Sequence, residues 1–407
     1  METRRSTKLA LALTGGGFTG YLFEVGAMTA LDDLLGESFA SNDFDLYVGV
    51  SAGSAVAALL AQGVKPEEIF ETNLSGKRPY YFEHRDIFRP AIGEGVKTLW
   101  RATKQLVPLL KLYVRNYHDM TLIDLLDKAQ YAIPSGIYRL EPFAKYLEKT
   151  FTAKGLGLRF VDLQKDLYIP AIDLESGDSV IFGEEGWRDI SIAQAITASS
   201  AAPIYFCPVR INGRDYIDAG IGQPAFFDLA IAKQVDFMVL INPMVRLPLP
   251  CAAWRESADV PRICRLRDKG FLTISEQAGR INFDVRMSQA LSMFREGYPD
   301  IELLMITPGP HDALLVERSF LSYQDRVHLL RAGYQSVARL VREAYENLRA
   351  QFARHGVALE RTKFDDRVKS RMEKIERLVT ASSSPPRPVN GVSLEVGSSR
   401  AIVRGSK

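Results

Sequence analysis

The first 63 residues alternate short apolar runs with helical patterns, and this alternation restricts the possible folds more than any other feature. Leu9–Leu13 is an uninterrupted apolar run that ends at glycines, which is typical of a strand buried on both faces. After Gly20, apolar residues recur every three or four positions and predict a helix. Asp45–Val50 predicts a second strand, and Ser54–Gln62 predicts a second helix with Gly63 at its end. This order of elements indicates a parallel sheet with helices packed on it.

Later segments extend the α/β pattern along most of the chain. Further strands are predicted at Leu167–Leu174, Ser179–Phe182, Tyr216–Ile217, Phe237–Asn242 and Ile301–Thr307. Helical spacing predicts helices over Ile190–Ser199, from about 319 to 355, and over 358–379. We therefore expect a main domain at 1–310 with a helical insertion at about 76–135, followed by a helical region at 311–380. The tail at 381–407 is rich in Ser, Pro and Gly, and we expect it to be disordered.

Charge and composition exclude several classes of protein. The chain has 51 Lys and Arg against 49 Asp and Glu, and a net charge of +2 does not indicate nucleic-acid binding. Three cysteines (Cys207, Cys251, Cys264) are too few and too irregularly spaced for a disulfide framework or a zinc site. The N-terminal apolar run is shorter than the roughly 7–15 residues of a secretory signal. No stretch approaches the roughly 20 apolar residues of a membrane span, so we expect a cytoplasmic protein.

The sequence Gly49-Val50-Ser51-Ala52-Gly53 follows a predicted strand directly and precedes a predicted helix. Small residues on both sides of a serine suit a sharp strand-to-helix turn, which presents the hydroxyl at the carboxyl edge of the sheet. The dipole of the following helix favours negative charge near that hydroxyl. Ser51 is therefore a candidate nucleophile, and the alternative is a turn of small residues with a capping serine.

A glycine-rich loop, Gly15-Gly16-Gly17-Phe18-Thr19-Gly20, lies between the first strand and the first helix. Such loops expose backbone N–H groups, which suit either a phosphate cradle or an oxyanion hole. The loop also fits the G-x-G-x-x-G pattern of dinucleotide sites, with Glu37 or Asp43 as the later acidic residue. An acyl hydrolase requires both this loop and the serine turn, whereas a dinucleotide site does not require the serine.

Two residues are candidates for the base that activates Ser51. In an α/β-hydrolase a late histidine takes this role, and His311 has a suitable position after the last predicted strand. Such enzymes usually place several strands before the serine turn, whereas Ser51 follows only two. Asp218 lies at a predicted strand end before Ala219 and Gly220, where burial would raise its basicity. We therefore favour Asp218.

Four blocks in this order resemble the patatin-like phospholipase family: the glycine loop, the G-x-S-x-G turn, Ala198–Pro203 and Asp-x-Gly at 218–220. The resemblance covers about residues 8 to 245. It implies an α/β fold with three α/β/α layers, a mostly parallel central sheet, a helical insertion and C-terminal helices. It also implies a Ser51–Asp218 dyad without histidine, which hydrolyses acyl esters of lipids with no metal and no cofactor.

The resemblance also assigns the glycines. It implies an oxyanion hole formed by Gly15, Gly16 and Gly17, and it makes Gly20, Gly49, Gly53 and Gly220 motif positions. Two residues depart from the family pattern. Thr19 stands where the family usually has Arg or Lys, and Ala219 replaces the commoner glycine after the aspartate. These departures bear on the substrate class more than on the dyad.

A basic segment interrupts the nearly neutral chain. Residues 77–115 contain nine Lys and Arg and three Asp and Glu, and between 97 and 115 the cations recur at helical spacing opposite Trp100 and several leucines. This pattern is typical of a helix that contacts a membrane surface, and a solvated lid helix is the alternative. A smaller basic cluster lies within residues 246–270, a segment that we expect to be a loop. The segment also motivates a second hypothesis, a catalytically weak membrane-associated binding or scaffold protein on the same fold.

Overall fold

The computed structural model describes residues 7–90, 134–222, 226–246, 266–309, 312, 315, 319–322 and 325–382. The strands in these residues are β1 (Leu9–Leu13), β2 (Leu46–Gly49), β3 (Arg89–Pro90), β4 (Gly136–Arg139), β5 (Asp166–Asp173), β6 (Ser179–Phe182), β7 (Ile204–Phe206), β8 (Val209–Ile211), β9 (Arg214–Asp218), β10 (Phe237–Ile241) and β11 (Glu302–Ile306). The helices are α1 (Gly17–Leu34), α2 (Ala52–Ala61), α3 (Pro66–Ser75), α4 (His84–Ile87), α5 (Glu141–Lys154), α6 (Ile192–Ser199), α7 (Phe226–Ala232), α8 (Phe271–Gly297), α9 (Arg326–Arg354) and α10 (Arg361–Ser382).

The central sheet has the strand order β11-β10-β1-β2-β5-β9-β8, with β6 also paired to β5. The first five strands of this order are parallel to one another. Parallel sheets are usually covered on both faces, which explains why β1 is entirely apolar. The strands β6, β8 and β9 pair antiparallel, so one end of the sheet is mixed. The expected mostly parallel sheet is therefore confirmed. A smaller sheet contains β3, β4 and β7.

Helices cover both faces of the sheet. Leu9, Leu11 and Leu13 of β1 belong to one buried cluster with residues of α1, α2, α3, α6 and α9. The alternate residues Ala10 and Ala12 belong to a second cluster with residues of α7 and α8. Because successive side chains of a strand point to opposite faces, these clusters are the two cores of a three-layer α/β/α fold. This architecture confirms the expected fold class.

The C-terminal helices pack directly on α1. A Cβ atom at Gly26 would lie 2.1 Å from the carbonyl oxygen of Leu330, and one at Gly333 would lie 1.9 Å from that of Phe23. The backbones of α1 and α9 therefore touch where each helix has a glycine. Helix α10 adds Phe364 and Ile375 to the same buried cluster. In the part of the chain that the structure describes, no helix is long and apolar enough to cross a membrane.

Some predicted bounds were wrong. Helix α1 begins at Gly17 instead of after Gly20, because the glycine loop turns straight into the helix. Helix α10 runs to Ser382, two residues into the tail that was predicted to start at 381. The 27-residue helix α8 was not predicted, because its apolar residues are spread over more than one face and show little periodicity. Most of the basic segment, including 97–115, lies outside the described residues, as do His311 and 383–407.

Candidate active site

Ser51 lies on a sharp turn between β2 and α2. Its backbone has φ 52° and ψ −131°, a strained combination for a residue with a side chain. Glycines on both sides permit the turn: a Cβ at Gly49 would lie 2.4 Å from the Cα of Ser54, and one at Gly53 would lie 2.8 Å from the carbonyl oxygen of Leu13. The turn points the hydroxyl of Ser51 away from the sheet edge and into a cavity. This local geometry is the one that the G-x-S-x-G sequence predicts.

Asp218 is the last residue of β9 and meets Ser51 across the sheet. Val48 of β2 pairs with Tyr168 of β5, and Asp218 pairs with Ala171, three positions further along β5. Ser51 also lies three positions beyond Val48, so the register places the two residues at the same level. The Ser51 hydroxyl donates a hydrogen bond of 2.7 Å to Oδ2 of Asp218. The structure thus brings together two candidate residues that are 167 positions apart in sequence.

The surroundings of Asp218 make its carboxylate more basic than usual. The side chain is almost fully buried, and burial raises its pKa to about 6. Two hydrogen bonds oppose this shift: the Gly220 N–H donates to Oδ1 at 2.7 Å, and the Ser51 hydroxyl donates to Oδ2. The Gly220 bond also fixes the carboxylate plane so that Oδ2 faces the serine. A Cβ at Gly220 would lie 3.1 Å from Oδ1, so the glycine keeps this contact uncrowded.

The glycine loop presents backbone N–H groups beside the serine. Gly15, Gly16 and Gly17 have φ of 76°, 108° and 67°, which is the left-handed region that favours glycine. The Gly15 N–H donates to the Glu24 carboxyl at 2.7 Å. The N–H groups of Gly16 and Gly17 have no acceptor among the described residues, and both glycines line the cavity that contains Ser51. Gly20 permits the loop to fold back, since a Cβ there would lie 2.1 Å from the Gly15 carbonyl oxygen.

Glu24 holds this loop from beneath and was missed by the sequence analysis. Its side chain is fully buried, and burial raises the pKa of its carboxyl well above the usual value, although the hydrogen bonds from the backbone oppose this shift. Oε1 accepts the Gly15 N–H, whereas Oε2 has no hydrogen-bond partner among the described residues. The one local signal is a glutamate within the apolar stretch from Tyr21 to Met28 of α1.

The Ala198–Pro203 block supports both residues of the pair. The Ser199 hydroxyl accepts the Ser51 N–H at 2.9 Å, and the Ala201 carbonyl accepts the Asp218 N–H at 3.1 Å. This block therefore holds the backbone on both sides of the short serine–aspartate contact. Thr19, where the family usually has a cation, is buried and donates from Oγ1 to the Gly16 carbonyl at 3.3 Å. It braces the glycine loop from within α1.

The cavity above Ser51 has a volume of ≈ 210 Å³ and an apolar wall. Its apolar and aromatic lining consists mainly of Phe18, Tyr21, Phe82, Ile87, Phe88, Leu140, Phe143, Phe206 and Leu321. Several of these rings touch one another, for example Tyr21 and Phe82 with centroids 5.3 Å apart. The Tyr21 hydroxyl donates to the Tyr80 carbonyl, so its polar end is satisfied within the protein. None of the described histidines lines this cavity.

A short segment around Phe320 crosses the N-terminus of α1. The Phe320 carbonyl accepts the N–H groups of Phe18 at 2.6 Å and Thr19 at 3.3 Å. Glu276 of α8 in turn accepts from the Ser319 hydroxyl at 2.6 Å and from the Phe320 N–H at 3.3 Å. A dinucleotide would place its pyrophosphate at this helix N-terminus. Because Phe320 already takes two of these donors, the arrangement favours an acyl hydrolase over a dinucleotide site.

Arg286 of α8 stabilises the turn that follows Asp218. Its guanidinium donates to the carbonyls of Ile221, Gly222 at 2.6 Å and Gly220 at 3.3 Å. Partial burial lowers its pKa, and no carboxylate pairs with it in the described residues. It lines the cavity close to Gly220. Sequence analysis missed Arg286, because nothing local links a mid-helix arginine to a turn 64 residues earlier.

The chain is similar to several known proteins. The chain is 24% identical over 249 residues to a probable lipid hydrolase, 463L, of Invertebrate iridescent virus 6, which covers 58% of this chain and 69% of that protein. VipD from Legionella pneumophila has 16% identity and a TM-score of 0.35, covering 84% of this chain and 69% of its own. The type III effector ExoU of Pseudomonas aeruginosa has 15% identity and a TM-score of 0.37, and the match covers 83% of this chain and 53% of the ExoU chain. The family model of patatin-like phospholipases matches residues 11–231, which include every motif described above. The chain therefore belongs to the patatin-like phospholipase family.

Proposed function

We propose that this protein is a serine acyl hydrolase that cleaves lipid esters with a Ser51–Asp218 dyad. The observation that carries the proposal is the 2.7 Å hydrogen bond from the Ser51 hydroxyl to a buried carboxylate, at the base of an apolar cavity. Membership of the patatin-like phospholipase family and the viral relative named as a probable lipid hydrolase support it. The aromatic wall suits an acyl chain, because such a pocket offers apolar contact and few competing polar groups.

The proposed reaction begins at Ser51. Asp218 accepts the hydroxyl proton as Oγ attacks the ester carbonyl, and the carbonyl π electrons move to oxygen to form a tetrahedral oxyanion. The intermediate collapses, the alcohol leaves with the proton from Asp218, and an acyl-serine remains. Water then attacks this ester, Asp218 takes its proton, and the released serine oxygen is protonated again as the acid departs. The carboxylate is thus a base in one half of each step and an acid in the other.

We propose that the oxyanion accepts hydrogen bonds from the backbone N–H groups of Gly16 and Gly17. These two groups line the cavity beside Ser51 and have no acceptor among the described residues. Gly15 belongs to the same predicted oxyanion hole, but its N–H is bound to Glu24. We therefore propose that Gly15 holds the shape of the loop, whereas Gly16 and Gly17 stabilise the negative charge of the oxyanion.

The dyad is tested by replacing each residue separately. Ser51→Ala and Asp218→Asn should each lower the hydrolysis of a short soluble ester by about 10⁴-fold or more while the far-UV circular dichroism is unchanged, because such residues act as a unit. A fluorophosphonate probe should label the native protein at Ser51. His311→Ala, the matched control, should retain most of the activity. An inactive His311→Ala variant with an active Asp218→Asn variant would instead favour an α/β-hydrolase mechanism.

The same probe decides the second hypothesis, a catalytically weak membrane-associated scaffold protein. Its support is the replacement of the family cation by Thr19 and the basic segment. Thr19, however, hydrogen-bonds the Gly16 carbonyl and so braces the oxyanion loop. Peripheral membrane contact through 97–115 stays a prediction, because those residues lie outside the described part of the chain.

A further inference from the structure

Helix α8 forms one side of the cavity mouth, and one of its faces is apolar and exposed. Phe271, Ile274, Ile281 and Val285 are 68%, 48%, 42% and 39% exposed, respectively. With Ala278 they recur at steps of three and four residues, so they form one stripe along the helix. We call these five residues the α8 stripe. Single exposed apolar residues are ordinary on a protein surface, whereas a continuous apolar stripe marks a contact surface.

The stripe runs directly beside the cavity. Ile281 and Val285 alternate along the helix with Asn282 and Arg286, which line the cavity that contains Ser51. The opposite face of α8 is buried against the sheet through residues such as Phe283 and Met287. Ile221 is also a cavity-lining residue and is 46% exposed, and its carbonyl is bound by Arg286. The stripe therefore borders the cavity entrance, where Asn282 and Arg286 lie next to it and the exposed Ile221 lies beside Arg286.

Charges around the stripe are compatible with an anionic surface. The two carboxylates of α8 that lie within its length are already engaged: Glu276 accepts from Tyr205 and Ser319, and Asp284 pairs with Arg246. Arg267, in the 3₁₀ turn just before α8, has a side chain that is 76% exposed, and it pairs with the 52% exposed Asp268 at 3.9 Å. A negative headgroup near the stripe would thus meet the exposed guanidinium of Arg267, in competition with Asp268, and no unpaired carboxylate of α8 within the stripe.

We propose that the α8 stripe is the surface on which this protein docks to a phospholipid bilayer that contains anionic lipid. The proposal rests on the proposed function and extends it, because it names the physical form in which the substrate is met. Phe271, Ile274 and Ile281 insert among the headgroups, Arg267 contacts lipid phosphate, and the cavity mouth faces the membrane. A lipid then enters the cavity without crossing water with its acyl chains exposed.

The test compares two sets of exposed apolar residues in the full chain. The stripe variant carries Phe271→Gln, Ile274→Gln and Ile281→Gln. The control carries Leu158→Gln and Val161→Gln, which replace side chains that are 39% and 47% exposed but do not line the cavity. Each set is made with Ser51 intact for rate measurements, and with Ser51→Ala for co-sedimentation with vesicles of phosphatidylcholine and phosphatidylserine.

The stripe variant should bind these vesicles at least about tenfold more weakly than the parent, because three apolar side chains no longer leave water. Its hydrolysis of vesicle lipid should fall in parallel, while its rate on a short soluble ester and the vesicle binding of the control stay unchanged. Vesicle binding that is the same in the stripe variant and its parent would overturn the proposal. So would a concentration-dependent dimer that the stripe substitutions dissolve, since a second copy would then cover the stripe. A native protein that hydrolyses neither substrate would contradict the proposed function, while the co-sedimentation would still decide the docking surface.

Discussion

At Asp218 a single carboxylate has both a partner and an environment that suit a base. Burial raises its pKa to about 6, and the hydrogen bonds from Gly220 and Ser51 keep the pKa from rising further. A carboxylate in water has a pKa near 4 and is a weaker base, so the gain comes from the removal of solvent. The same burial makes the ionised form costly to fold, and the pH dependence of activity and of stability therefore follow from one cause.

The first prediction from this pKa concerns the rate. In the proposed reaction Asp218 must be ionised to accept the serine proton, so kcat/KM on a soluble ester should fall below a midpoint near pH 6. The measurement is the initial rate across pH 4 to 9 in buffers of constant ionic strength. His311→Ala should show the same midpoint. A midpoint near pH 4 would mean that the carboxylate is not buried during the reaction.

The second concerns the free energy of unfolding. The folded-state pKa of Asp218 is above the unfolded value, so this group favours folding at low pH and loses that contribution as the pH rises to about 6. Asp218→Asn removes the charge and should raise the free energy of unfolding at pH 7 by about 1–3 kcal/mol. The gain should shrink as the pH falls below 6 and should be nearly lost at about pH 3, which is below the unfolded pKa, so the carboxyl of the unsubstituted protein is largely protonated in both the folded and the unfolded state. Urea denaturation at both pH values measures it, and a loss of stability at pH 7 would contradict the expectation.

At the scale of elements, the glycine loop depends on contacts from three other segments. Glu24 binds Gly15 from within α1, the Phe320 carbonyl binds the first N–H groups of α1, and Gly53 lets α2 approach the loop. The loop is thus held on several sides, which keeps the Gly16 and Gly17 N–H groups in place. Preorganised donors of this kind stabilise a developing oxyanion because they need not rotate during the reaction.

Glu24 gives a direct test of this support. Glu24→Leu removes the acceptor of the Gly15 N–H and should lower kcat by about 10- to 100-fold with little change in KM. Glu24→Gln keeps an oxygen of the same shape that can accept the Gly15 N–H, so it should retain kcat within about threefold. Steady-state kinetics on a soluble ester measure both, with circular dichroism to check folding. Equal activity of Glu24→Leu and the native protein would show that the loop does not need this contact.

At the scale of the whole molecule, an ionic cluster around the buried Asp33 joins the C-terminal helices to the α/β core. Asp33 at the end of α1 is 2% exposed and accepts from the Tyr334 hydroxyl at 2.9 Å and from Arg371 at 2.5 Å. Arg367 binds it too, and Arg371 also reaches Glu67 of α3 at 3.2 Å. Three helices thus meet at one carboxylate, Arg371 links a fourth helix, α3, to it, and α10 is held where it covers α1.

Removing one partner of this cluster should weaken the whole fold. Arg371→Leu leaves Asp33 buried with less compensation and should lower the free energy of unfolding by about 3 kcal/mol. Asp33→Leu together with Arg371→Leu should lose less than the sum of the single losses, because no buried charge is left unpaired. Denaturant unfolding of the two single variants and the double variant measures this coupling. Strictly additive losses would mean that Asp33 and Arg371 do not interact energetically.

The sequence by itself determined the order β1, glycine loop, α1, β2, serine turn and α2, and it singled out Ser51 and Asp218. Apolar periodicity, glycines at turns and the spacing of motif residues are short-range signals, since each depends on neighbours within a few positions. Helix α8 was not predicted, because its apolar residues are divided among the core, the cavity wall and an exposed stripe and therefore show little periodicity. Only the tertiary structure decided that Glu24 holds Gly15, that Ser199 binds the Ser51 N–H and that Phe320 caps α1. The last two contacts join residues 148 or more positions apart, and they form only because sheet register and helix packing bring those segments to the same place.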